Sequence, residues 1–269
     1  MSDRASGNRQ DDARSNAGHV IHKAAGFFAL VSAAAVTVTL QLVFLVAPIE
    51  RQMGIIQKIF YFHVPSAFAM YVGALACFAG SAAYLSHATP RRDALAKAGA
   101  EVAVIFGAIV LVTGPLWAAK AWGAYWTWEP RLTSSLLSVL IYVAYLVLRS
   151  FGGDSDSIKR FAAALGFLGA VNLPIIHFSV RKWSGQHPQV VFQGGGGLGD
   201  PMMKVAFAAG LVTFAFFSLT LLLTRYRLNL AEERVTRLEL EAAQTQWEDA
   251  PESSAGALAE HEESKDAAS

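Results

Sequence analysis

Six apolar runs, at roughly 24–47, 64–85, 102–119, 133–149, 161–178 and 203–224, constrain this chain more than any other feature of it. Each approaches the ~17–25 residues needed to cross a hydrocarbon core of ~30 Å. Lipid offers no partner for an unpaired backbone N–H or C=O, so each run must close its hydrogen bonds internally, as a helix. The expected fold class is all-α, a polytopic membrane protein with six transmembrane helices. A hydrophobic content of 54% with only 16% charged residues fits that class and excludes an ordinary soluble globule. The first run exceeds the ~7–15-residue apolar core of a signal peptide, so it is read as a span that stays in the chain.

Residues 1–23 are polar and mixed in charge, with too little apolar surface to pack, and read as a disordered cytoplasmic tail. Residues 24–225 form the membrane domain. Residues 226–269 read as a second cytoplasmic tail: Leu228 to Trp247 places Leu230, Val235, Leu238 and Ala242 among charges and predicts a short helix, followed by disorder from Ala250. Orientation follows from the basic residues. With the N-terminus inside, the inner segments hold fifteen Lys and Arg, and the outer ones hold seven: Arg51, Lys58, Lys120, Arg131, Arg181, Lys182 and Lys204. That bias puts both termini in the cytoplasm. Because these residues stand at span ends rather than along one stripe, no nucleic-acid face is expected. The single cysteine, Cys77, lies in an apolar run and excludes an internal disulfide, a CxxC redox pair and a CxxCH haem-attachment site.

The segment 117–132 gathers Trp117, Trp122, Trp126 and Trp128, four of the six tryptophans, together with Tyr125. Tryptophan and tyrosine ordinarily form a belt at the membrane interface, but a belt spreads over many helix ends. Here Trp183 and Trp247 stand alone while the rest cluster, which suits a flat, apolar partner. Gly114-Pro115 is expected to kink or end the third span before this loop, and Pro65 to sit in the first turn of the second. Glu129 precedes Pro130 and should be extended. Thr133 is expected to cap the fourth helix, with Ser134 and Ser135 in its first turn.

The outer face then collects His63 at the start of the second span, the aromatic loop, and His177 at the end of the fifth. His19, His22, His87 and His261 fall in inner segments, and His187 in the last outer loop. One interfacial histidine is ordinarily a polar residue seeking water. Two flanking an aromatic platform suit haem, whose iron takes axial imidazole while the macrocycle packs on apolar surface. Zinc fits less well, because no cysteine is near and the histidines are far apart in sequence. Arg131 can pair bidentately with a propionate, anchor the interface or pair with Glu129. Gly194 to Gly197 lacks the Lys-Ser/Thr of a P-loop and reads as a flexible outer loop. Two rival functions stay open on residue types alone. A b-type electron carrier calls for histidines at matched depth in facing helices, and a permease calls for polar residues at mid-membrane, where this chain offers Asn172 and some Ser and Thr.

The stretch WGAYWTWEPRLTS, 122–134, resembles the tryptophan-rich WGxxWxWDxRLT signature of haem-handling membrane proteins of cytochrome c maturation. YFHVPSA around His63 and VNLPIIHFSVRKW around His177 resemble the haem exporter protein C branch, CcmC. The likeness covers roughly 25–225. Glu129 stands where the signature has Asp, and Tyr125 where Trp is frequent. The resemblance implies that His63 and His177 are the axial ligands of haem iron and that Trp122, Trp126 and Trp128 form a platform on the periplasmic side of a bacterial inner membrane. Trp117, Glu129 and Arg131 complete the candidate set. It also implies a delivery protein rather than an enzyme. Haem b, bound non-covalently, would be passed to the periplasmic haem chaperone CcmE, with the ABC-transporter subunits CcmA and CcmB and the small membrane subunit CcmD as partners. His187, in KWSGQHPQ, is a further candidate contact.

Overall fold

The computed structural model describes residues 26–153, 155–183 and 198–248, and these form helices with no strand. In chain order, α1 is Gly26–Val46, α2 Phe60–Ser86, α3 Pro90–Trp122, α4 Pro130–Phe151, α5 Asp156–Trp183 and α6 Pro201–Glu248. Each contains, or lies within, a helical stretch long and apolar enough to cross a membrane. The protein is thus an all-α polytopic membrane protein. The tail at 1–23, His187, the Gly194–Gly197 run and the stretch from Ala250 lie outside the described residues.

Prolines set several helix boundaries differently from the expectations above. α3 and α4 open on Pro90 and Pro130, where a missing N–H costs no hydrogen bond. The residue before each is held extended, Glu129 at φ −73° and ψ 156°. Thr133 is therefore not the cap of α4. It lies inside the first turn, and its N–H donates to the carbonyl of Glu129 at 3.0 Å. Nor does α3 end at Gly114-Pro115. It continues to Trp122 and stops at Gly123, whose φ of +74° strains any residue with a Cβ. A 3-10 turn at Ile55–Ile59 leads into α2, so Pro65 falls beyond the first turn. Its ring removes a donor from the Tyr61 carbonyl, and the backbone of α6 closes on that point. A Cβ on Gly210 would lie 2.8 Å from Tyr61 O. The stretch from Leu228 to Trp247 is helical as expected, but as an unbroken continuation of α6.

Small residues let the backbones of α2 and α3 approach closely. A Cβ on Gly73 would lie 2.5 Å from Ala103 N, and one on Gly99 would collide with Cys77 N. Around this contact Met70, Val102, Phe106, Val139, Tyr142 and Tyr145 form the main core. A second cluster, with Val43, Phe60, Tyr61, Met203 and Ala206, joins α1, α2 and α6. Lys58 closes the end of α1: buried, it donates from Nζ to Val43 O at 2.7 Å and more weakly to Phe44 O and Ala47 O. Those carbonyls lie in the last turn of α1 and just beyond it, where no further helical N–H follows to bond them. The helices pack as one unit through Asn229. From Leu230 the chain forms a second unit in which Val235, Leu238 and Trp247 are exposed.

Candidate functional site

Side-chain contacts fix which helix ends meet. His63, near the start of α2, touches Thr113 late in α3, and Arg131 at the start of α4 reaches the carbonyls of Ile176 and His177 late in α5. At the opposite ends, Tyr84 of α2 bonds Asp156 of α5, and Asp93 of α3 pairs with Arg149 of α4 at 2.6 Å. Successive helices therefore alternate in direction from α2 to α5. His63, the tryptophan segment, Arg131 and His177 consequently share one end of the bundle.

His63 is half-buried and its Nδ1 stands 2.9 Å from Thr113 Oγ1. Thr113 in turn donates to Ile109 O at 2.6 Å, one helical turn back. The edge of the imidazole rests on Gly114, where a Cβ would lie 3.2 Å from Cε1. Nothing in the sequence ties position 63 to 113, and Thr113 and Gly114 were not among the candidate site residues. The local signal was a hydroxyl followed by Gly-Pro inside an apolar span.

The four clustered tryptophans form two pairs rather than one flat sheet. Trp117 and Trp122 meet edge to face on the last turns of α3, with ring centroids 5.8 Å apart and planes at 88°. Trp126 and Trp128 meet at 5.8 Å and 78° in the link to α4. That perpendicular geometry satisfies the ring quadrupoles. Leu111, Trp126, Trp128 and Leu136 line an open concavity of about 330 Å³, within the range of ligand sites. Trp128 is 76% exposed and Tyr125 67%, so the outer rim presents aromatic surface outward.

Arg131 bonds two backbone carbonyls of α5. Its Nε donates to Ile176 O at 3.2 Å, and an Nη donates at 3.4 Å to His177 O. The guanidinium thus ties the start of α4 to the turn of α5 that carries His177. Glu129 is half-buried at the N-cap of α4, where a carboxylate is favoured by the helix dipole whether it is Asp or Glu. His177 packs edge to face on Phe178 at 5.0 Å.

The polar groups of this end test the fit to haem. Trp117 Nε1, Trp126 Nε1 and Thr127 Oγ1 are buried with no hydrogen-bond partner among the described residues. A buried donor without an acceptor is costly, about 1–3 kcal/mol each. Propionate carboxylates are acceptors, aromatic surface lies beside them, and imidazole is an iron ligand, so the residue types present fit haem. Among the described residues no three His, Cys, Asp or Glu side chains cluster to hold a bare metal ion.

Comparison with known proteins places the chain among relatives. The family described as "CcmC: Heme exporter protein C" matches residues 13–241. "Heme exporter protein C" of Bradyrhizobium diazoefficiens is 36% identical over 196 residues, covering 72% of this chain and 74% of that protein. The protein of the same name from Escherichia coli K12 is 36% identical over 188 residues, 67% of this chain and 73% of its own. That of Paracoccus denitrificans is 30% identical over 215 residues, 78% and 88%. A match that covers α1 to α5 and most of α6, together with these identities, shows that the chain belongs to the Heme exporter protein C family.

Proposed function

We propose that this protein binds haem at the periplasmic end of its bundle, in a bacterial inner membrane, and presents it to the haem chaperone CcmE for cytochrome c maturation. The observation that carries this reading is the convergence of His63, His177 and the tryptophan pairs, with their unpartnered indole donors, at one end of a membrane bundle. The relatives' name, which speaks of haem export, points the same way. Both termini are then cytoplasmic, the orientation that the excess of basic residues on the inner segments favours.

Each group has a definite task in this reading. His63 and His177 are the axial ligands, and Trp117, Trp122, Trp126 and Trp128 supply apolar surface and N–H donors. Arg131 positions the His177 turn through its bonds to the Ile176 and His177 carbonyls. Haem b is the cargo and brings its own iron and porphyrin reactivity, while the chain binds it, orients it and sets which edge faces the partner. The exposed Trp128 and Tyr125 form the rim a chaperone would meet. CcmA, CcmB and CcmD are the partners expected to drive release, because two histidine ligands hold iron too firmly for passive exchange.

A permease through the bundle finds less support. The polar Asn172 donates to Ser134 O at 2.7 Å and to Ser138 Oγ at 2.8 Å, so these groups join α5 to the first turns of α4 instead of lining a path. The test is chaperone loading in cells that carry the complete system. His63→Ala and His177→Ala should each sharply lower the fraction of chaperone bearing covalent haem. Unchanged loading in both variants, at equal expression, would overturn the proposal.

A further inference from the structure

We infer that Thr113 is a positioning residue that fixes the tautomer of His63, leaving Nε2 as the nitrogen that offers a lone pair. The inference rests on the haem-ligand reading of His63 given above and assigns the element that prepares the ligand.

The assignment follows from counting protons. Thr113 Oγ1 lies 2.6 Å from Ile109 O. A carbonyl oxygen carries no hydrogen, and two oxygens that close attract only with a proton between them. The only proton available there is that of the threonine hydroxyl, so it is committed to Ile109. Toward His63 the same oxygen can then only accept. His63 Nδ1 stands 2.9 Å away and must bring the hydrogen. A neutral imidazole has one N–H, so with Nδ1 protonated Nε2 is bare.

The direction of this chain, Nδ1–H to Oγ1–H to the Ile109 carbonyl, is fixed at its far end by an acceptor that cannot reverse. Each bond polarises the next in the same sense. Gly114 limits the ring from the side, since a Cβ there would lie 3.2 Å from Cε1 and 3.8 Å from Nδ1. A half-turn of the ring would put Cδ2 where Nδ1 stands and break the bond to Thr113. A hydrogen bond from the distal N–H of a metal-bound histidine also makes the ligating nitrogen more basic and holds the ring plane. Without Thr113 the free ring would divide between tautomers, and the Nε2–H form cannot ligate through Nε2.

The test reads the tautomer first in the haem-free, full-length protein, labelled with ¹⁵N-histidine in detergent. Two-bond ¹H–¹⁵N correlations assign His63 by difference from His63→Ala. The expected result is an Nδ1–H ring in the parent and in Thr113→Ser, which keeps the hydroxyl, and a growing Nε2–H population in the near-isosteric Thr113→Val. Thr113→Ala serves the same purpose if the valine variant does not accumulate. In protein loaded with hemin, Thr113→Val should weaken binding by about 10–100-fold and raise the haem midpoint potential, with Thr113→Ser close to the parent in both. An Nε2–H ring in the parent, or an unchanged Nδ1–H ring in both the valine and alanine variants, would overturn the inference. An Nδ1–H ring dependent on Thr113 in a parent that takes up no hemin would uphold the tautomer assignment and remove the haem reading instead.

Discussion

At the candidate site the indole N–H groups of Trp117 and Trp126 are side-chain donors that a ligand could satisfy. Both are buried without a partner among the described residues, a cost the haem-free protein bears. Trp126→Phe keeps most of the ring surface and removes that N–H. The haem-free protein should then be no less stable, since no made hydrogen bond is lost, while hemin affinity falls by roughly tenfold, the equivalent of about 1.4 kcal/mol. Titration with hemin beside thermal unfolding of the same samples separates the two effects. A loss of haem-free stability without loss of affinity would show Trp126 to be packing only. Gly114→Ala acts on the ligand itself, because its methyl would press on His63 Cε1. It should shift the absorption bands of bound haem while leaving the far-ultraviolet circular dichroism of the helices unchanged.

The helices were legible because the bilayer leaves an apolar run few alternatives. Their ends were less so, for reasons specific to individual residues. Thr133 has good capping chemistry, but Pro130 is better suited to a helix start and fixes Glu129 as the cap, one turn earlier. Gly114-Pro115 looked like a stop. The helix passes through because a proline deletes one hydrogen bond, and that loss is offset where neighbouring helices pack around it. The candidate site could be nominated from its histidines and tryptophans, which are rare residues in a suggestive cluster, and the structure brings them to one end of the bundle. Thr113 and the carbonyl partners of Arg131 were not, since a common hydroxyl and a backbone oxygen carry no local mark of the helix they will meet.

Between elements, charged pairs hold the end opposite the candidate site. Asp93 and Arg149 are both nearly buried at 2.6 Å, and Arg225 makes two bonds to Glu101 at 2.6 and 2.7 Å. Removing one member of a buried pair costs more than the pair contributes, about 3–5 kcal/mol, because the other is stranded in a medium of low dielectric. Asp93→Ala should therefore lower the thermal midpoint in detergent well below that of the parent, whereas Arg160→Ala, in an exposed pair with Asp156, should barely move it. The turn between α1 and α2 depends on a different group. The Glu50 carboxylate accepts the N–H of Met53 at 2.5 Å and of Gln52 at 2.7 Å, and these bonds, Met53 first, hold its pKa below the usual carboxylate value. A lowered folded pKa means that its support is present above the ordinary glutamate range and disappears as pH falls through the folded value. Exchange of the Gln52 and Met53 amides, corrected for the intrinsic effect of pH, should accelerate over that acidic window, and Glu50→Gln should abolish the dependence.

At the scale of the whole molecule, orientation in the membrane and the identity of the cargo decide the account. Cys77 is fully buried, so the native chain offers no accessible thiol to obscure labelling. Tyr125→Cys should react with a membrane-impermeant maleimide from the periplasmic side of intact cells, and Ser155→Cys only after the membrane is opened. The reverse pattern would put the tryptophan segment on the cytoplasmic face. The most direct measurement is the absorption spectrum of the purified protein, oxidised and reduced, beside the His63→Ala/His177→Ala double variant. A low-spin, bis-histidine haem spectrum in the parent that is lost or converted in the variant is the predicted result. A parent that carries no haem even when hemin is supplied, or a double variant with an unaltered spectrum, would contradict the account.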